Sequence, residues 1–187
     1  MSNMESITLN QVENLDIILV HTKKGLLPEL IQEFQGNDYN HAMIALWLCS
    51  ELYMSEATEH GPALTDFMKE YYHNDKYDLL VLKPDFNIHI ERYRNRMVHW
   101  LLSNTGHSEY DYANLLIHQP IKFLSKKFLG RELWIGRKGK LAEKIFICGE
   151  WVAFPYYLYC HIFMTLIDKI APADIYNHPD FRHCKLL

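Results

Sequence analysis

Short apolar runs bounded by polar residues dominate the first half of the chain, a pattern that predicts buried strands. Residues 16–22 (DIILVHT) form one such run. A helix of about two turns, PELIQEFQ, is framed by Pro28 at a first helical position and Gly36 just past its end. Two more strand-like runs, residues 41–48 (HAMIALWL) and 52–58 (LYMSEAT), are separated by Cys49, Ser50 and Glu51, a spacing that predicts a hairpin. Residues 77–82 (YDLLVL) predict a further strand that stops before Pro84. Asn87 then caps a predicted helix in which Ile90, Tyr93, Met97, Trp100 and Leu101 share a face, ending before Gly106. Residues 144–147 lead into Cys148, and the chain from Gly149 to about Lys169 has helical length, with Pro155 expected to bend it. No repeat, low-complexity segment or linker divides the sequence, so one α+β domain over residues 1–187 is expected.

Composition adds exclusions. With 187 residues, 49% of them hydrophobic, the chain buries enough surface to fold without disulfides or a structural metal. The four cysteines (Cys49, Cys148, Cys160, Cys184) form no CxxC pair. A net charge of −4 argues against nucleic acid as a partner. It conceals an asymmetry, because residues 122–144 hold eight basic side chains (Lys122, Lys126, Lys127, Arg131, Arg137, Lys138, Lys140, Lys144) and two acidic ones. A solvated basic insert is the simpler expectation for this stretch, and a surface for an anionic partner the alternative. The opening MSNMESITLNQVEN has neither a basic start nor an apolar run, which predicts a cytoplasmic protein; a phage-encoded or released protein acting on cell wall is the alternative. Residues 151–167 carry no formal charge, but Pro155, His161 and three tyrosines interrupt them, predicting a buried core helix and no transmembrane span. His178, His183 and Cys184 match no zinc spacing, so no metal and no cofactor is assigned.

Candidate chemistry centres on FICGEWVAFPYYLY. A strand running into Cys148 sets this residue at a helix N-terminus, where the dipole and unpaired N–H groups favour a thiolate and offer an oxyanion donor. His41 opens a strand directly after a polar stretch, a placement suited to a general base. A carboxylate to orient that imidazole is sought across the hairpin. If the turn centres between Cys49 and Ser50, facing residue numbers sum to 99 and Glu56 lies diagonally from His41; a one-residue shift brings Glu59 opposite instead.

These residues fall in an order that resembles the circularly permuted, papain-like NlpC-type cysteine peptidases, most closely the YiiX-like group. The resemblance runs through DIILV, YNHAMIAL, EATEHG, EYDYANLL, CGEWVAF and the tail IAPADIYNHPDF, from about Asp16 to Phe181. Two positions depart from the family pattern: Leu15 stands where a glycine is usual, and Gly149 follows the cysteine in place of serine. The resemblance implies an antiparallel sheet packed against helices, with Cys148 as nucleophile, His41 as base and Glu56 as orienting residue. It makes Tyr110 a candidate for shaping the site or binding an oxyanion. The implied function is hydrolysis of an amide or peptide bond, in cell-wall peptides or isopeptides, through an acyl-enzyme. The permuted order is shared with lecithin:retinol acyltransferase-like proteins, which makes a lipid acyl substrate the first alternative. A catalytically idle papain-like binding module is the second.

Overall fold

A computed structural model describes residues 4–85, 90–107, 109–110, 119–131, 145–164 and 170–187. Its centre is a mixed seven-stranded sheet built from β1 (Glu5–Ile7), β2 (Ile17–Thr22), β3 (His41–Leu48), β4 (Glu51–Thr58), β5 (Gly61–Asp66), β6 (Tyr77–Pro84) and β9 (Phe181–Leu186). Their spatial order is β1-β9-β6-β2-β3-β4-β5. Every neighbouring pair is antiparallel except the last to be added at one edge, β1 beside β9, which is parallel. The expected antiparallel sheet holds for the other five pairs; the parallel pair joins segments near the two ends of the chain and leaves no local signal. A separate pair, β7 (Glu109–Tyr110) and β8 (Ile145–Phe146), is parallel too.

The hairpin forms with a turn of two residues, tighter than the three in the sequence reading. Cys49 and Ser50 both take positive φ, 51° and 68°, as a two-residue turn matched to strand twist requires. The register therefore sums to 99, running from Leu48↔Glu51 to Ile44↔Ser55. His41 and Glu56 lie beyond the open end of this paired stretch. There β3 continues beside β2, with Val20↔His41, and β4 continues beside β5, with Glu56↔Ala63.

Alternation along the strands supplies two apolar faces. One carries Ile17, Leu19, Ala42, Ile44 and Leu46 and is covered by α3 (Ile90–Asn104) and α5 (Cys148–Cys160). The other carries Ile18, Val20, Met43, Met54 and Val81 and packs Phe67 and Tyr71 from α2 (Phe67–Glu70) and the residue that follows it. The remaining helices are α1 (Leu26–Gln35), α4 (Gln119–Leu129) and α6 (Pro172–Tyr176). α1 begins two residues before the position predicted from Pro28 and ends, as predicted, at Gly36 in the left-handed region. α5 stops well short of Lys169, at His161 with φ 58°. Among the described residues no helix is long and apolar enough to cross a membrane.

The basic stretch is not uniformly solvated. Lys122 on α4 is fully buried, and its Nζ lies 2.7 Å from Asp174, whose carboxylate also accepts the Ala171 N–H at the start of α6. Lys126, Lys127 and Arg131 are exposed; Arg137, Lys138, Lys140 and Lys144 lie outside the described residues.

Candidate active site

Cys148 is the first residue of α5, following Ile147, whose extended backbone caps the helix. A backbone N–H at this position has no partner within its helix. The Ile147 N–H is taken instead by the Glu150 carboxylate, 3.1 Å away. Two contacts fix α5 on the sheet: Trp151 Nε1 donates to Ser55 Oγ at 3.0 Å, and the Tyr156 hydroxyl donates to the Leu15 carbonyl.

Both departures from the family pattern acquire local explanations. Gly149 sits where an added Cβ would lie 2.6 Å from the Ile170 carbonyl and 3.1 Å from Ala171 Cα, so the chain passes against the helix start too closely for any side chain. Leu15 has φ 78°, a left-handed backbone that favours glycine. The leucine is fully buried, and hydrogen bonds at both its N–H (to Ala45 O) and its carbonyl hold the conformation.

His41 reaches from the start of β3 toward both candidate partners. Its Nε2 lies 2.6 Å from Glu56 Oε2, and the Cys148 thiol is near enough to raise its affinity for a proton. The imidazole is 21% exposed, whereas Cys148 and Glu56 are buried. Burial would push the imidazole pKa down, but the interactions with Cys148 and Glu56 outweigh it and raise it to about 10. Burial would likewise push Glu56 up, and the donors around it, His41 first, hold it below the usual carboxylate value.

Of the two carboxylates open at the sequence level, Glu56 is the one that meets His41. Glu59 lies in the turn after β4, largely exposed and 3.5 Å from the His60 ring. The tight turn decides between them. Tyr110 is in β7, its backbone paired with Phe146, two residues before Cys148; its side chain lies outside the described residues, as does the whole of Asp111. One group escaped the sequence reading. The Tyr71 hydroxyl donates to Glu56 Oε2 at 2.9 Å, within the core. The signal was present: Asp66 caps a short helix carrying FMKE just ahead of the aromatic pair Tyr71 and Tyr72.

No family model and no curated protein matches the chain. Among solved structures it is similar to the crystal structure of metalloprotein YiiX from Escherichia coli O157:H7, DUF1105, with a TM-score of 0.54 over 92% of this chain and 96% of that one. Identity is 16%. The fold is YiiX-like.

Among the described residues, no group of three or more His, Cys, Asp or Glu is arranged to hold a metal ion. His183 Nε2 donates to the Tyr176 carbonyl at 2.8 Å, His178 packs against Phe163, and Cys184 is buried in β9. These residues do not fit a metal site.

Proposed function

We propose that the protein is a cysteine hydrolase of amide or peptide bonds. One observation carries the reading: an imidazole is held at 2.6 Å by a buried carboxylate, and a buried thiol at the first residue of a helix is among the groups that raise its affinity for a proton. An imidazolium facing the sulfur supports a thiolate as the attacking form. In the proposed reaction the Cys148 sulfur bonds to the carbonyl carbon, and the Cys148 N–H at the helix start receives the developing oxyanion. His41 passes its proton to the departing amine, leaving a thioester. Water, deprotonated by His41, then releases the acid and restores the thiol. Glu56 fixes the ring through Nε2, which leaves Nδ1 to carry the proton transfers.

A lipid acyl substrate, the alternative that the permuted order opens, would draw on the aromatic run after Cys148 for an apolar acyl site. Trp151 and Tyr156 are fully buried in the core and Phe154 nearly so, which leaves amide hydrolysis the better supported chemistry.

Iodoacetamide at neutral pH tests the reading. Cys148 is expected to alkylate ahead of Cys49, Cys160 and Cys184, and His41→Ala is expected to slow it by about 100-fold, the lower range for general-base assistance. Cys148→Ala should abolish hydrolysis of amide-linked fluorogenic peptides while leaving the thermal melt intact. Even alkylation of all four thiols, or turnover without Cys148, overturns it.

A further inference from the structure

We propose that Tyr71 is a positioning residue for this site: its hydroxyl, by donating to the same Glu56 oxygen that holds His41, keeps that carboxylate ionised and aimed at the imidazole. The inference rests on the hydrolase reading above and extends it to a residue just beyond α2.

The geometry holds the Tyr71 hydroxyl in place. Asp66 caps α2 by accepting the Lys69 N–H, fully buried Phe67 anchors the helix on the second face of the sheet, and the Tyr71 N–H closes the turn onto the Phe67 carbonyl at 3.0 Å. The Tyr71 ring is then set between Phe67, at 6.3 Å centroid separation, and Tyr77, at 5.1 Å. From there its hydroxyl reaches Glu56 Oε2 at 2.9 Å. Glu56 is faced by His41 from β3, by the Thr65 side chain from β5 and by Tyr71 from beyond α2. Tyr77 and Glu70 are the other charged or titratable groups near the phenol.

A carboxylate 3% exposed cannot rely on water to stay charged. Each buried donor offsets part of that desolvation, and the phenol is well suited: burial and the Glu56 charge hold its own proton far more tightly than in solution, so it acts only as donor. Without it, Glu56 takes up a proton at higher pH, His41 loses its counter-ion, and the reactive thiol–imidazole pair is lost at higher pH as well.

The test follows the pH dependence of Cys148 alkylation by iodoacetamide, read by mass spectrometry. Tyr71→Phe keeps the ring packing and is expected to move the acid limb upward by about one pH unit, the scale of one hydrogen bond to a charged acceptor. On a Glu56→Gln background the same substitution should produce no further movement, which a purely structural loss would not reproduce. 3-Fluorotyrosine at position 71 preserves the fold, is a stronger donor and should move the limb the other way. A limb unmoved in both variants, moved in the same direction by both, or shifted equally on the Glu56→Gln background overturns the proposal. A wild-type Cys148 insensitive to His41→Ala would instead sink the hydrolase reading itself, and this inference with it.

Discussion

Asp16, directly before β2, and Glu56, in β4, are two carboxylates each 3% exposed, each facing a basic side chain at contact distance: Lys83 at 2.8 Å and His41 at 2.6 Å. They respond in opposite ways. Burial raises Asp16 above its ordinary value in spite of Lys83 and the Glu13 N–H, whereas the donors around Glu56 overcome burial and bring it below. The cause is the set of neighbours. Asp16 has the Glu13 carboxylate nearby, repelling its charge; Glu56 has His41, Thr65 and Tyr71 converging on it. One counter-ion does not offset burial; several aimed donors do. The bases differ as well. Among the described residues Lys83 pairs with the carboxylates of Asp16 and, at 3.8 Å, Glu13, while His41 has a thiol besides its carboxylate among the groups that raise its affinity for a proton. A buried ion pair alone therefore marks no site; the third group distinguishes it.

Removing the lysine makes the largest break in this comparison. Lys83→Met leaves Asp16 buried without its counter-ion and is expected to cost about 3 kcal/mol in urea unfolding, while the alkylation rate of Cys148 stays at the wild-type level. A matching fall in alkylation would show that the two pairs are one coupled unit and end the contrast.

The pH dependence of stability sharpens it next. His41 is raised from 6.5 to about 10, so its contribution is fully present below pH 6.5 and disappears as pH rises through about 10. Glu56 is lowered from 4.5, so its contribution is present above pH 4.5 and is lost as pH falls through its depressed folded value. Asp16, raised from 3.8, works in reverse: its charged form penalises the fold, and the penalty grows as pH climbs above 3.8. Glu56→Gln should therefore lag wild type at neutral pH and close the gap in acid, whereas Asp16→Asn should gain on wild type as pH rises from acid to neutral. Urea midpoints across that range check both signs, and parallel curves for the two variants would refute the opposite assignments.

Legibility in the sequence followed the range of each interaction. The hairpin was local, so the sequence narrowed the register to two, with Glu56 or Glu59 brought to His41, and the two-residue Cys49–Ser50 turn selects the sum of 99. The helix start at Cys148 was legible from an apolar run ending in CGE. Less was legible where sequence neighbours say nothing. Strand β9, FRHCKL, reads as a polar chain end until β6 and β1 flank it, and Pro62 in β5 disguises a strand whose N–H ladder it interrupts. Lys122 reads as one more solvated base; only its approach to Asp174 across 52 residues makes it a core residue. Tyr71 shows the same limit: the capped turn that carries it is legible, but its partner Glu56 lies on a strand 15 residues earlier.

The smallest effect lies at the turn that sets this geometry. Ser50 holds φ 68° without being glycine, a conformation costing an L-residue about 1–2 kcal/mol, part of which glycine gives back as chain entropy in the unfolded state. Ser50→Gly should thus stabilise the protein by up to about 1 kcal/mol, seen as a higher urea midpoint with unchanged slope. Because the substitution keeps the two-residue turn, the register and the meeting of His41 with Glu56 are preserved, and the Cys148 alkylation rate should not change. A stabilised variant with altered alkylation would mean that the turn's strain is transmitted along β3 and β4 to their open end, so that Glu56, unlike Asp16, owes its place partly to the hairpin as well as to its donors.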